Sequence, residues 1–141
     1  MTAPLVLDSS ALVALLTDAG PAGDWVASTT AGAALAAPEL ALFEAANILR
    51  RHQLAGALTA LEATLAHDDL RALPVQLWPY LPLAERAWSL CENVTAYDAC
   101  YVALAELLAT SLVTLDARLG RANGPRCPVL TPPDRAPGRQ R

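Results

Sequence analysis

Leu5, Val6 and Leu7 form an unbroken apolar run that ends on Asp8, and a helical pattern, SSALVALLT, begins at once. A continuous apolar run suits a strand covered on both faces in a parallel sheet, whereas an alternating run suits a strand with one wet face. The helix continues to about Thr17, Gly20-Pro21 punctuates the chain, and a second short helix carries Trp25 and Val26 to a stop at Gly32. Ala33–Ala37 is read as a second strand ended by Pro38, although alanine is a poor strand former. Further helices are predicted from about Glu39 to Leu54 and from beyond Gly56 to about Leu70, with a third strand at Leu73–Leu77. Pro79 and Pro82 then turn the chain into LPLAERAWSLCEN, whose Leu83, Ala87 and Leu90 fall on one face, and Thr95 opens the helix AYDACYVALAELLA. SLVTL, Ser111–Leu115, is the clearest late strand and ends on Asp116; the helical turn ARLGRA and a last short strand at Val129-Leu130 follow. Strands and helices alternate with neither an internal repeat nor a composition break, which predicts one α/β domain over 1–131. The stretch 132–141, with three prolines and three arginines, is predicted to be a disordered tail.

Composition narrows the class. The 141 residues suit one domain with a substantial core, and 54% of them are hydrophobic. No segment approaches the roughly 20 apolar residues of a membrane span, and the N-terminus has no charged region followed by an apolar one. A cytoplasmic protein without a membrane partner is expected. Cys91, Cys100 and Cys127 show no Cys-x-x-Cys spacing, so neither a disulfide framework nor a zinc site is indicated. All 10 basic side chains are Arg, and the net charge is −4. The lack of Lys closes routes that need one for phosphate binding or Schiff-base chemistry, and the negative charge argues against binding nucleic acid through a broad basic surface. If nucleic acid is handled, it must be handled locally, for example by a metal bridging protein acids to phosphate.

The acids are therefore the candidates. Asp8 and Asp116 each follow an apolar strand and open a helix, where an Asp serves either as an N-cap or as part of a ligand site at the sheet's C-terminal edge. Two such acids on parallel strands point into one crevice, and their repulsion is costly unless a cation lies between them. Glu44 lies mid-helix. At about 100° per residue it shares a stripe with Leu40, Asn47 and Arg51, while apolar residues cover most of the remaining circumference, which predicts a buried helix whose polar stripe faces solvent or a polar cleft. Asp98 stands three residues after Thr95, as in a capping box, yet its stripe continues through the apolar Tyr101, Val102 and Ala105, which would aim it inward. Thr114 shares a strand face with Asp116, where its hydroxyl could bind a ligand water. His52 and His67 have no metal-ligand partner nearby in sequence and are read as structural or exposed.

Taken in order and spacing, Asp8 in LVLDSSALVALL, Glu44 in FEAANILRR, Asp98 in TAYDACYVALAE and Asp116 in LVTLDARL resemble the motifs of PIN-domain ribonucleases. Among these the chain is most similar to the VapC toxins of bacterial toxin–antitoxin pairs, over about Leu5 to Leu130. The resemblance implies a three-layer α/β/α fold with a central parallel sheet, Mg²⁺- or Mn²⁺-dependent RNA cleavage, a VapB-type antitoxin partner, and a homodimer or higher homo-oligomer. By position it gives Asp8, Glu44, Asp98 and Asp116 the acidic-site roles, and it places Asn47 and Thr114 at commonly polar supporting positions.

An all-oxygen site suits Mg²⁺ or Mn²⁺, which retain waters and bind phosphate oxygens through the remaining positions. Asp8 and Asp116 are the expected direct ligands, Asp98 a ligand directly or through water, and Glu44 the group that orients or deprotonates the attacking water. A receiver domain would need a lysine at a late strand end. A haloacid-dehalogenase-like phosphatase would need Asp-x-Asp where this chain has Asp8-Ser9-Ser10, and no Gly-rich phosphate loop is present. The alternative of another class is a catalytically silent PIN-like module that only binds RNA or a partner protein.

Overall fold

The computed structural model describes residues 3–134. Its strands are β1 (Leu5–Leu7), β2 (Leu35–Pro38), β3 (Val75–Trp78), β4 (Leu112–Val113) and β5 (Val129–Leu130), and every pairing between them is parallel. Side by side they stand in the order β3-β2-β1-β4-β5. Helices α1 (Ser9–Thr17) and α2 (Pro21–Thr30) connect β1 to β2, α3 (Leu40–Leu54) and α4 (Ala60–Ala72) connect β2 to β3, and α5 (Ala84–Leu90) and α6 (Ala96–Leu107) connect β3 to β4. A short α7 (Ala117–Arg121) leads to β5. Crossovers between parallel strands are right-handed, so those stepping outward from β1 to β3 and those stepping back past β1 cover opposite faces of the sheet. The result is the expected three-layer α/β/α sandwich. Residues 132–134 carry no regular structure, and 135–141 of the predicted tail lie outside the described residues.

β1 occupies the centre, with Val6 paired to Ala36 on one side and to Leu112 on the other. Val6, Leu7, Leu112 and Val113 are fully buried, which accounts for their unbroken apolar runs. The second strand is the alanine-rich one, displaced by a residue or two from its expected position and buried throughout. Pro38 closes it from within: Pro38 pairs with Trp78, and the missing donor is supplied one residue on, by the Glu39 amide to the Trp78 carbonyl at 2.8 Å.

One helix departs from the environment expected of it, and another is more enclosed than its apolar stripe alone required. α3 is not buried all round; it buries only Ala41, Ala45 and Leu49, against α1 and α4, and leaves Phe43 77% exposed. α6 is the enclosed helix, with every residue from Ala99 to Ala105 buried. Position contributes to the difference, because α6 packs against β1, β2 and β4 at the middle of the sheet, whereas α3 meets the sheet chiefly through β2. Among the described residues no helix is long and apolar enough to cross a membrane.

Candidate active site

The chain leaves β1 towards one flank of the sheet and returns on the other, so the strand order reverses between β1 and β4. Ligands of open α/β sheets bind at the carboxyl ends of the strands at such a reversal. Asp8 follows β1 at this point, and Thr114 and Asp116 follow β4. Asp8 does cap α1: its Oδ1 accepts the Ala11 amide at 2.9 Å and the Ser10 hydroxyl at 2.6 Å. Its Oδ2 accepts the hydroxyl of Thr114, which is fully buried. Thr114 therefore holds Asp8 directly instead of facing a water, and the same Oγ1 accepts the Asp116 amide at 3.0 Å, tying both acids to one side chain. Burial pushes the Asp8 carboxyl above its usual range, the nearby Asp98 pushes it further, and the three hydrogen bonds oppose the rise.

Glu44 reaches the cluster from α3, and the buried Tyr101 of α6 fixes it by donating its hydroxyl to Oε1 at 2.5 Å. Burial raises the Glu44 pKa, with Asp98 and Asp8 adding to the rise, and the Tyr101 hydroxyl is itself held well above its ordinary value by burial and by this bond. Asp98 stands in the first turn of α6. Thr95 caps that helix by accepting the Asp98 amide at 3.1 Å, but the reciprocal bond from the Thr95 amide to the Asp98 carboxylate is not formed, so the carboxylate remains half-buried and turned towards the acids. Its pKa is raised first by burial and also by Asp116, against a lowering by Thr95 and Arg118.

Asp116 caps α7, its Oδ1 accepting the Arg118 amide at 2.9 Å and the Arg118 Nε at 3.3 Å. Asp98, Asp116 and Arg118 line a cavity of about 520 Å³ together with residues of the turn between α5 and α6.

Asp8, Glu44, Asp98 and Asp116 are thus one electrostatic unit, each acting on at least one other. Among the described residues, however, no three such side chains converge closely enough to enclose one ion. The reason is visible in their bonding: Asp8 is turned to Ser10, Ala11 and Thr114, and Asp116 to Arg118. As a donor set the four carboxylates suit a hard divalent cation, which would also offset the mutual repulsion that adds to the effect of burial on three of them. Asn47 is not drawn in; it is exposed one turn beyond Glu44, and no side-chain hydrogen bond among the described residues reaches it. Two contributors escape a reading of the sequence. Ser10, besides donating to Asp8, accepts the Leu115 amide at 3.2 Å and so bridges the ends of β1 and β4. Tyr101 is the other, although its place one turn after Asp98 on an apolar stripe was the available signal.

Comparison with known proteins places the chain in a family. Residues 5–125 match the family model described as PIN domain. The chain is 38% identical over 129 residues to Ribonuclease VapC9 of Mycobacterium tuberculosis, covering 92% of this chain and 98% of that protein. It is 35% identical over 120 residues to Ribonuclease VapC12 of the same organism, covering 85% and 92%. Among solved structures, PAE2754 from Pyrobaculum aerophilum superposes with a TM-score of 0.68 at 24% identity, over 90% of this chain and 83% of that one. VapBC2 from Rickettsia felis, bound to a DNA fragment from its promoter, gives 0.65 at 12% identity, over 90% and 97%. With its family model matched over most of its length and its acids gathered at the sheet's reversal point, the chain belongs to the PIN-domain family, among the VapC proteins.

Proposed function

We propose that this protein is a metal-dependent endoribonuclease, the toxin component of a toxin–antitoxin pair. The observation that carries the proposal is the buried Asp8 at the β1–β4 reversal, tied through Thr114 to Asp116 and gathered at the same sheet edge as Glu44 and Asp98, a donor set of four carboxylates. Asp8, Asp98 and Asp116 would hold Mg²⁺ or Mn²⁺, with Glu44 beside them. When bound, such an ion acidifies a water and neutralises charge on the phosphate in the transition state. Thr114 and Ser10 keep Asp8 and the start of α7 in register. Tyr101 fixes the Glu44 carboxylate so that it can orient the attacking water and accept its proton. The ribonuclease names of the relatives support RNA as substrate.

The VapBC2 neighbour supports an antitoxin partner of the VapB type. Self-association is inferred from the exposed Phe43, Tyr80 and Tyr97 around an apolar cavity of about 370 Å³ between α3 and α6, since patches of this kind mark contact surfaces. A cytoplasmic location accords with all of these.

The experiment is cleavage of single-stranded RNA by the purified chain in Mg²⁺ or Mn²⁺, against chelator and against Asp8→Asn, a change that conserves volume and removes one ligand charge. Cleavage should require the ion and be lost in the folded variant. The silent-module reading has one observation in its favour, the lack of convergence of the carboxylates. RNA binding by the wild type without cleavage in either ion would establish it instead.

A further inference from the structure

The wall of the acidic cavity presents a chemical difficulty, because a phosphodiester must approach Glu92, Asp98 and Asp116 in a chain of net charge −4 that has no Lys. Among the described residues lining the cavity, Arg118 is the one cation. We propose that Arg118 is a phosphate-binding residue of this site, its guanidinium resting on Asp116 in the free protein and passing to an RNA phosphate when the strand enters. The proposal rests on the ribonuclease reading and assigns to Arg118 the contact with the substrate backbone.

Three features make the exchange feasible. The Arg118 side chain is 86% exposed and bonds to Asp116 through Nε at 3.3 Å, so the pair is open to solvent and its loss costs little. Among the described residues no hydrogen bond engages its Nη atoms, which leaves the fork available for bidentate contact with phosphate oxygens. Asp116 does not depend on the guanidinium for its place. The Arg118 backbone amide donates to the same Oδ1 at 2.9 Å, and the Asp116 amide is anchored on Thr114, so the carboxylate keeps its position when the side chain swings away. Arg86 offers the contrast: its guanidinium bonds Glu106, Ser89 and the Gly124 carbonyl at once, which commits it to joining α5, α6 and the loop before β5.

The test has two arms. In the Asp8→Asn background, where RNA is not consumed, binding of a fluorescent single-stranded RNA of mixed sequence is titrated in Mg²⁺ over a series of KCl concentrations, with and without Arg118→Gln and Arg118→Lys. In the native background the same substitutions are assayed for cleavage, and thermal midpoints are recorded. Arg118→Gln should weaken binding roughly tenfold or more. It should also reduce the slope of log affinity against log salt by about 0.7, the value for one phosphate contact on a single strand. KM should rise more than kcat falls, with the midpoint unchanged. Arg118→Lys should retain the slope while recovering only part of the affinity. Unchanged affinity, salt slope and KM in Arg118→Gln would overturn the proposal. A wild type that cannot cleave RNA, but whose salt-dependent binding still requires Arg118, would sink the ribonuclease reading and leave the phosphate contact standing.

Discussion

Asp8 shows how a buried carboxylate is tolerated: both oxygens are occupied by donors, and one of those donors, Thr114, also fixes the Asp116 amide. Thr114→Val keeps the shape of the strand but leaves an Asp8 oxygen and the Asp116 amide without their partner. A buried group left unpaired costs about 1–3 kcal/mol, so the thermal midpoint should drop by several degrees and RNA cleavage should fall with it. An unchanged midpoint would show that water replaces the hydroxyl. The raised carboxyls make a second prediction at this scale. Asp8, Glu44 and Asp98 all have folded pKa values above the ordinary 3.8, 4.5 and 3.8. In the metal-free chain protons bind these groups more tightly when it is folded. Their contribution is complete below the ordinary values and is lost as pH rises through the raised ones. The midpoint measured in chelator should therefore decline as pH rises above the ordinary carboxyl range, and Asp8→Asn should flatten that decline. Glu62, whose pKa is lowered by its capping bonds to Thr59, contributes with the opposite sign, and the difference between the two chains removes it. Parallel pH profiles would mean that Asp8 is not titrating in this range.

At the scale of elements, α1 matters most, since it begins on Asp8 and its packing sets where that cap stands. α2 folds back onto it through Gly23. A Cβ there would lie 1.8 Å from the Asp18 carbonyl oxygen and 2.9 Å from that of Ala14, a collision with backbone that no rotamer relieves. Gly23→Ala should cost about 2 kcal/mol or more by prising the two helices apart, read as a lower urea midpoint. A native midpoint would show that α2 can shift without loss. On the other face, α6 is enclosed for seven consecutive residues, Ala99 to Ala105, and carries both Asp98 and Tyr101. The half of the site it bears is thereby set on one of the most enclosed elements of the fold.

For the whole molecule, four acids delivered by α1, α3, α6 and α7 to one end of a parallel sheet predict stabilisation by a divalent ion. An ion that binds only the folded chain adds roughly 2.7 kcal/mol when its free concentration is about a hundred times its dissociation constant. Mg²⁺ or Mn²⁺ should raise the midpoint of the wild type and do so far less for Asp98→Asn/Asp116→Asn. An equal rise in both would place the ion elsewhere.

The order of elements was legible along the chain because local chemistry dictates it: apolar runs closed by Asp8 and Asp116, the Thr95 cap, and breaks at Gly20-Pro21, Gly56 and Pro79. The candidate acids were legible too, since Asp at the end of an apolar strand and Glu in an otherwise apolar helix are costly placements that stand out from their surroundings. Strand limits and helix burial were not, because both depend on what lies across the sheet. Leu35–Pro38 is a strand because β1 and β3 pair with it, despite alanine's weak preference. α6 is the more apolar of the two, since α3 carries the polar run Arg50–Gln53, yet it takes their places relative to the sheet to decide that Phe43 is exposed while Tyr101 is buried. The bonds that build the site, Thr114 to Asp8, Ser10 to the start of α7, and Tyr101 to Glu44, join residues 106, 105 and 57 positions apart. No local pattern encodes such pairs; they exist because β1 and β4 are neighbours and because α6 packs across the centre of the sheet.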